Sequence, residues 1–167
     1  MESYKASLDT LSKIITGFVF LLSVFGVVVA IVIKPWYGGL GLIVIPVVIL
    51  IPTYIYSVKS YQITNEKLII KRPLSGFDKE IPLSKIESVT LPPKEDFKWT
   101  VRTAGNGGLF GYTGNFANAK LGNFKLYATN RENRILIILR ENQNKIVLSP
   151  DDAGMAEALQ KHLGKQA

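Results

Sequence analysis

The chain has 167 residues, which is enough for one ordinary domain with an appendage but too few for two full-sized globular domains. It contains no cysteine, which excludes disulfides, thiolate metal sites and cysteine nucleophiles. The net charge is +7, and most of it lies in residues 58–167, where 17 Lys and Arg face 11 Asp and Glu. Between Ile14 and Tyr56 the only charged side chain is Lys34. The composition therefore divides the chain into an apolar front and a basic remainder.

Two apolar runs, residues 14–33 and 36–56, are long enough to cross a membrane as helices. About 20 helical residues, each rising about 1.5 Å, cover the roughly 30 Å hydrocarbon layer. Pro46 and Pro52 are expected to bend the second helix, which neighbouring helices can tolerate.

A secretory signal peptide and a buried soluble hairpin are the alternatives to a membrane anchor. KPWYGG and a second apolar run follow the first run, unlike a signal peptide, and the remaining residues are too few to enclose both helices. We therefore expect residues 1–57 to form a membrane anchor with helices at about 14–33 and 36–56. Residues 58–167 are expected to form a cytoplasmic domain.

The distribution of basic residues predicts the orientation of the anchor. The turn between the two runs contains only Lys34, whereas several basic residues flank the outer ends: Lys5, Lys13, Lys59, Lys67, Lys71 and Arg72. This bias predicts a multi-pass protein of the cytoplasmic (inner) membrane, with residues 14–56 in the lipid bilayer and both termini cytoplasmic. Trp36 in the turn suits the opposite interface. Gly26 and Ala30 form a small-xxx-small pair that lets either the two helices or two protomers approach closely.

After Ser57 the apolar pattern changes to short alternating runs that are typical of strands. YQITNEKLIIKR predicts a hairpin around a polar TNE turn. Further strands are predicted in GFDKEIPL, SKIESVTL, KWTVRTA, FKLYATN, RILIILR and NKIVLSP, which gives about eight strands. The buried residues expected in GFDKEIPL and SKIESVTL are Ile81, Leu83, Ile86, Val89 and Leu91.

The C-terminal residues predict one soluble helix. Ser149 is expected to cap it, with Pro150 at the first helical position and Asp152 completing an S-x-x-D box. An apolar stripe at four-residue spacing can close this helix against a sheet or barrel, through Met155, Leu159 and Leu163.

A succession of strands followed by one capping helix resembles the pleckstrin-homology (PH) superfold. YQITNEKLIIKRP with IPLSKIESVTL resembles the opening hairpins of bacterial PH-like domains, and GGLFGYTGNF, LYATN and KIVLSPDD resemble one membrane-associated subgroup. The resemblance covers about residues 58–163. It implies a membrane α-helical hairpin plus a mainly-β PH-like barrel of about seven to eight antiparallel strands, capped by a C-terminal α-helix. It implies no common ligand, and the basic phosphoinositide-binding motif of eukaryotic relatives is not evident.

The sequence contains no recognisable catalytic constellation. It lacks the G-x-S-x-G elbow, the H-E-x-x-H metal helix and the phosphate loop. His162, the single histidine, has no nearby acidic or nucleophilic pattern, and Glu95 with Asp96 favour a solvated turn over a metal site. We therefore expect no enzyme activity, no cofactor and no metal. Nucleic-acid binding is not expected either, because no basic patch with interleaved exposed aromatic residues can be established.

The glycine-rich stretch GNGGLFGYTGNF supplies the first set of candidate contacts. Residues 105–123 are expected to form a loop inserted between two strands. Its apolar side chains either contact a partner or fold down on the barrel, and both alternatives remain open: Leu109, Phe110, Tyr112 and Phe116.

The basic residues close to the predicted bilayer supply the second set. A positive face there attracts anionic lipid headgroups, and the candidate contacts are Lys59, Lys67, Lys71, Arg72 and Lys79. Scattered solvated basic residues, required by the positive-inside bias alone, are the other explanation. The predicted function is a membrane-anchored, non-catalytic interaction module that binds a protein partner or its own copies at the cytoplasmic face. Direct binding of anionic lipid headgroups is the alternative.

Overall fold

The computed structural model describes residues 1–33 and 39–164. Within this part the chain forms ten strands and three α-helices. The strands are β1 (Glu2–Lys5), β2 (Ser60–Ile63), β3 (Lys67–Lys71), β4 (Lys79–Pro82), β5 (Ile86–Thr90), β6 (Val101–Gly108), β7 (Gly111–Asn118), β8 (Gly122–Ala128), β9 (Ile135–Leu139) and β10 (Lys145–Leu148). The helices are α1 (Thr10–Ile33), α2 (Gly39–Ile55) and α3 (Gly154–Gly164).

Helices α1 and α2 are apolar and expose most of their side chains. In α1, the stretch Thr10–Val32 is long and apolar enough to cross a membrane, and its most apolar window is 0% buried inside the protein. Helix α2 has 17 residues and contains Pro46 and Pro52. Its apolar stretch Gly41–Ile55 is shorter than the typical span of about 20 residues, and the residues immediately before Gly39 lie outside the described part. The predicted turn with Lys34 and Trp36 lies outside the described residues.

Gly26 of α1 faces α2. A methyl group added to Gly26 would lie 3.6 Å from the main-chain oxygen of Leu42. That is an ordinary van der Waals distance, so Gly26 lies where the two helices of this chain approach each other. This is the within-chain alternative for the Gly26 and Ala30 pair. Pairing between protomers remains a prediction.

The first strand precedes the helices and was not predicted. Strand β1 pairs antiparallel with β2, so that Lys5 lies opposite Ser60. The amide of Asp151 also donates a hydrogen bond to the main-chain oxygen of Lys5 at 3.0 Å. Residues 2–5, which the sequence pattern placed with the anchor, therefore lie in a sheet with strands that follow the helices.

The strands form two sheets instead of the expected closed barrel. Sheet 1 has the order β1-β2-β3-β4, and sheet 2 has the order β5-β9-β10-β8-β7-β6. Strands β8 and β10 run parallel, while the other pairs are antiparallel. Because each sheet keeps its own edges, the hydrogen bonding does not close into a ring within the described residues.

The larger core lies between the two sheets and α3. Tyr61 of β2 is completely buried in it, and its hydroxyl donates to the main-chain oxygen of Tyr127 at 2.7 Å. The same hydroxyl accepts a hydrogen bond from the amide of Ser149 at 3.1 Å. Burial raises the pKa of Tyr61 above its ordinary range, so this bridge stays protonated.

Most of the residues predicted to be buried in GFDKEIPL and SKIESVTL are in this core, namely Ile81 of β4, Leu83 in the turn that follows β4, and Ile86 and Val89 of β5. Leu91 is the exception, because it is 51% exposed. Strand β5 ends at Thr90, so Leu91 no longer follows the alternation of the sheet.

A second core covers the opposite face of sheet 2. Along β9 and β10, Leu136 and Val147 point to this face, while Ile137 and Leu148 point to the larger core. The second core also contains a group of aromatic side chains: Phe97, Tyr112, Phe116 and Phe124.

The glycine-rich stretch forms a β-hairpin and not the inserted loop that the sequence predicted. Strands β6 and β7 pair from Val101 to Gly108, and a two-residue turn at Leu109 and Phe110 joins them. The side chain of Asn106 holds this turn, since its Nδ2 donates to the oxygen of Gly111 at 2.9 Å and its Oδ1 accepts from the amide of Leu109 at 3.2 Å.

Gly105 and Gly114 lie opposite each other in this hairpin. Their φ angles are 110° and 132°, a region that other residues rarely adopt. A methyl group on Gly105 would come within 2.7 Å of the Cα of Gly114. The two glycines are therefore required by the close approach of the two strands.

Helix α3 begins later than predicted. Its cap is Asp152, whose Oδ1 accepts a hydrogen bond from the amide of Gly154 at 2.8 Å. Ser149, the predicted cap, is buried, and its hydroxyl accepts from the amides of Thr129 and Asn130 instead. The predicted apolar stripe packs on the larger core through Met155, Leu159 and Leu163.

Candidate functional site

A groove of about 720 Å³ lies where α2 meets the β6–β7 hairpin, and we call it the junction groove. Its helical side comprises Ile49, Pro52, Thr53 and Tyr56. Its hairpin side comprises Arg102, Gly105, Asn106, Leu109, Thr113 and Gly114. Arg72, which follows β3, and Tyr127 of β8 complete the lining. Among the described residues, the groove thus contains two arginines and no acidic residue.

The guanidinium of Arg72 is held between two tyrosines. Its Cζ lies 5.0 Å from the ring centroid of Tyr56 and 5.8 Å from that of Tyr127. Its Nη1 donates to the main-chain oxygen of Tyr56 at 2.5 Å, directly after α2. Its Nε is buried and has no hydrogen-bond partner among the described residues. Burial raises the pKa of Tyr127, and the charge of Arg72 offsets part of that rise.

Asp78 is close in sequence to this arginine but forms no ion pair with its guanidinium. Its carboxylate binds Lys71 Nζ at 2.6 Å and accepts from the main-chain amide of Arg72 at 2.8 Å. Burial alone would raise the pKa of Asp78, but these two hydrogen bonds and the charges of Lys71 and Arg72 outweigh it and the pKa is lowered. No carboxylate among the described residues forms an ion pair with the guanidinium of Arg72.

Arg102 contributes the second positive charge, from the edge strand β6. Its side chain is exposed, and no carboxylate in the described part of the chain forms an ion pair with it. Paired arginines can bind a phosphate or carboxylate through several parallel hydrogen bonds. The junction groove is therefore suited to an anionic group.

The tip of the β6–β7 hairpin contacts both apolar helices. The amide of Phe110 donates to Thr16 Oγ1 of α1 at 2.9 Å. The ring of Phe110 meets Tyr54 of α2 edge to face, with 5.4 Å between centroids. These contacts fix the hairpin side of the groove against its helical side.

Asp9 fixes the start of α1 on the sheets. Its Oδ1 accepts from the amide of Ser12 at 2.7 Å, which caps the helix and places a negative charge at its positive end. The Tyr112 hydroxyl donates to the same carboxylate at 3.0 Å, and the amide of Asp9 donates to the oxygen of Thr129 at 3.1 Å. The ends of both apolar helices that lie nearest the sheets, which we call the helix roots, are thus bound to the β-rich part.

The structure brings together four of the five basic residues proposed to contact lipid. Lys71 pairs with Ser60, which follows Lys59, and Lys79 pairs with Ile70. These three lysines and Arg72 therefore lie at the end of sheet 1 that is next to α2. Lys67 lies at the other end of β3, roughly 13 Å away by strand geometry. There it forms a salt bridge with Glu80 at 2.7 Å.

The structure divides the four apolar candidates for partner contact into two pairs. Tyr112 and Phe116 are both 6% exposed in the second core, so they offer little surface to a partner. Leu109 lines the junction groove, and Phe110 packs on Tyr54. Tyr112 and Phe116 thus fold down on the sheet, as one of the two alternatives expected. Leu109 and Phe110, at the hairpin tip, lie at the junction groove.

Arg102 and Tyr127 were not recognised in the sequence as groove residues. One signal was present, because Arg102 is the only charged residue between Lys98 and Lys120. Its partner Arg72 could not be inferred, because their proximity depends on how the two sheets meet.

The described residues contain no group of three or more His, Cys, Asp or Glu side chains that could hold a metal ion. Asp96, one of the two adjacent acidic residues, forms an ion pair with Lys120.

Comparison with known proteins agrees with this architecture. The family model described as bacterial PH domain matches residues 59–163. Two sheets with a C-terminal helix packed against them are consistent with a PH-like domain, and the match shows that the chain belongs to the bacterial PH domain family. PH domains are generally non-catalytic interaction modules. No curated protein and no solved structure matched the chain.

Proposed function

We propose that this protein is a membrane-anchored, non-catalytic interaction module whose junction groove binds the headgroup of anionic membrane lipids. Helices α1 and α2 cross the cytoplasmic membrane, and the PH domain lies with both termini on the cytoplasmic side. The observation that carries the proposal is the pair of arginines, Arg72 and Arg102, in a groove that contains no acidic residue beside the end of α2.

The pairing of β1 with β2 supports two crossings. The chain leaves the sheet after Lys5 and returns to it at Ser60, so both ends of the helix pair start from one place. A single crossing would leave these ends on opposite sides of a bilayer about 30 Å thick. Under this proposal the helices are an insertion between the first two strands, and the domain comprises residues 2–5 with residues 58–163.

The position of the basic residues supports contact with headgroups. Lys59 and Lys79 share the helix-facing end of sheet 1 with Arg72, and Lys71 lies there in an ion pair with Asp78. Each basic residue near an anionic leaflet that is not already ion-paired gains about 1 kcal/mol. Exposed Leu74 and Phe77 lie in the loop after β3, at the same end, where apolar side chains can enter the interface.

The full-length protein in lipid nanodiscs tests this proposal, because a fragment starting at residue 58 would lack β1. We would measure the thermal unfolding midpoint in phosphatidylcholine alone and with added phosphatidylglycerol. A ligand that binds only the native state raises this midpoint. The variants are Arg102→Gln and the charge-matched control Arg140→Gln, which is exposed and outside the groove.

We expect phosphatidylglycerol to stabilise the wild type and the Arg140 variant, and to stabilise the Arg102 variant much less. The effect should weaken at high salt, because screening shortens electrostatic attraction between exposed groups. If all three proteins gain the same stability from phosphatidylglycerol, the junction groove is not the headgroup site.

Protein binding is a second candidate function, supported by a different observation. Trp99 is 92% exposed, and Val101, which begins the edge strand β6, is 64% exposed. An exposed tryptophan beside an open strand edge suits an extended segment of a partner protein. Crosslinking in cells would compare Trp99→Ser with Leu91→Ser, another exposed apolar position. Identical adducts from both variants would contradict a partner at β6.

A further inference from the structure

A second groove, of about 240 Å³, lies between the apolar helices, and we call it the interhelical groove. Its lining includes Val19, Leu22 and Gly26 from α1 and Gly41, Ile45 and Pro46 from α2. Among the described residues that line it, Ser23 carries the one hydroxyl side chain, and that hydroxyl donates to the main-chain oxygen of Val19 at 2.7 Å. The described lining therefore presents an apolar surface with no free polar side chain.

The two grooves adjoin at Ile49, which lines both. Along α2, Ile49 lies about 10 Å from Tyr56 at the domain end, since each helical residue rises about 1.5 Å. It lies about as far from Leu42 toward the other end of the interhelical groove. A cationic groove beside the domain thus continues into an apolar groove within the proposed membrane span.

This continuity discriminates between kinds of anionic ligand. A soluble phosphate would use only the arginines, whereas a phospholipid presents a phosphate and an acyl chain that match the two grooves in the same order. Since an acyl chain leaves one apolar environment for another, its transfer contributes little to the free energy of lipid binding. The interhelical groove contributes through van der Waals contacts with the chain, and the bound chain keeps the phosphate close to the arginines of the junction groove.

We propose that the protein binds one anionic phospholipid molecule, with its phosphate between Arg72 and Arg102 and one acyl chain in the interhelical groove past Ile49. This inference rests on the proposed function and makes it more specific. The ligand is a single lipid held in a defined position, and not a layer of headgroups attracted by the net charge of the domain.

Native mass spectrometry of the full-length protein in detergent micelles tests the proposal by counting bound phosphatidylglycerol. Gly41→Leu fills the interhelical groove, where no atom lies within 4 Å of an added methyl group. Gly17→Leu is the matched control, because Gly17 has equally free space on α1 but lies outside the groove. Gly26→Ala is a milder second variant, since its methyl group fits at 3.6 Å from Leu42.

We expect one phosphatidylglycerol to remain bound to the wild type and to the Gly17 variant. Gly41→Leu should weaken binding about fivefold by removing chain contacts, and Gly26→Ala by a smaller factor. Arg102→Gln should weaken it about tenfold or more, through loss of charge-assisted hydrogen bonds. Glycerol 3-phosphate and inorganic phosphate should bind at least about tenfold more weakly than the lipid.

The outcomes separate the two proposals. If Gly41→Leu and Gly26→Ala bind the lipid as tightly as Gly17→Leu, or if glycerol 3-phosphate binds as tightly as the lipid, the acyl-chain site is refuted while the arginine site stands. If Arg102→Gln leaves lipid binding unchanged, both proposals are refuted. Circular dichroism and equal unfolding midpoints in detergent establish that each variant is folded.

Discussion

Replacing Gly105 with alanine tests whether backbone geometry requires the glycines of the β6–β7 hairpin. Gly105 has a φ of 110°, and an added methyl group would come within 2.7 Å of the Cα of Gly114. A side chain at this φ costs about 1–3 kcal/mol. Separating the strands to relieve the overlap costs about 1–3 kcal/mol more. We therefore expect Gly105→Ala to lower the free energy of unfolding by about 2–6 kcal/mol.

Two other glycines distinguish the cost of the positive φ from the cost of the steric overlap. Gly122 has a φ of 67°, but no atom lies within 4 Å of its added methyl group, so Gly122→Ala should cost only about 1 kcal/mol. Gly76 has neither a positive φ nor a close neighbour. Gly76→Ala should be neutral or stabilise the protein by up to about 1 kcal/mol, since it restricts the unfolded chain.

Urea unfolding of the full-length protein in detergent micelles provides the measurement, followed by near-ultraviolet circular dichroism of the aromatic residues in the second core. Hydrogen exchange of amides in 101–118 would locate the effect, because strand separation exposes β6 and β7 first. If Gly105→Ala unfolds at the same urea concentration as Gly122→Ala, then the overlap with Gly114 does not explain the glycine.

Two further predictions concern buried polar groups. Tyr61→Phe removes a hydroxyl that accepts a hydrogen bond from the buried amide of Ser149, and should lower the free energy of unfolding in urea by about 2–3 kcal/mol. Tyr4→Phe, at a more exposed position, should lower it by less than about 0.5 kcal/mol. Equal losses would contradict the role of the Tyr61 bridge. Asp78→Asn should cost about 1–3 kcal/mol at neutral pH, because the Asp78 carboxylate binds Lys71. Since the pKa of Asp78 is lowered below 3.8, the contribution of its charge is full above pH 3.8 and is lost as pH falls through the folded pKa. Unfolding of both proteins between pH 3 and 7 tests this, and a pH-independent difference would contradict it.

Much of the secondary structure could be predicted because local patterns determine it. The alternation around Tyr61 and Ile63 marks β2, and the apolar run at Leu68 marks β3, which pairs with it. The spacing of Met155 and Leu159 gives the buried stripe of α3. In each case the buried residues repeat with the period of their own element, so no knowledge of the distant chain is needed.

Strand β1 could not be predicted, because its residues show no alternating pattern. Only Tyr4 of this four-residue strand is partly buried. The strand forms because β2 offers an open edge, and that edge lies more than 50 residues away in sequence. Ser149 shows the same limit: its local pattern predicts a helix cap, but distant amides of Thr129 and Asn130 bind its hydroxyl.

The candidate site was only partly predictable for a similar reason. Proximity to the membrane segment suggested Arg72 as a candidate, because only the short stretch of β2 and β3 separates it from α2, and the structure places it in the junction groove. Arg102 lies in a different sheet, and it lines the same groove as Arg72 only because of the way the two sheets and α2 meet. Glycines also removed the side-chain alternation from β6 and β7, so the hairpin carried the sequence pattern of a loop.

The position of the junction groove relative to the proposed bilayer follows from the way both helix roots are bound. Asp9 holds α1 to the sheets, and the bond from Arg72 to the oxygen of Tyr56 holds the end of α2. A flexible linker would let the domain rotate above the membrane and would leave the orientation of Arg102 undefined. With both roots fixed and the tip at Phe110 against α1, the groove faces the helices in every copy. A variant that removes the bonds holding one helix root should therefore weaken lipid binding while leaving both helices in the membrane.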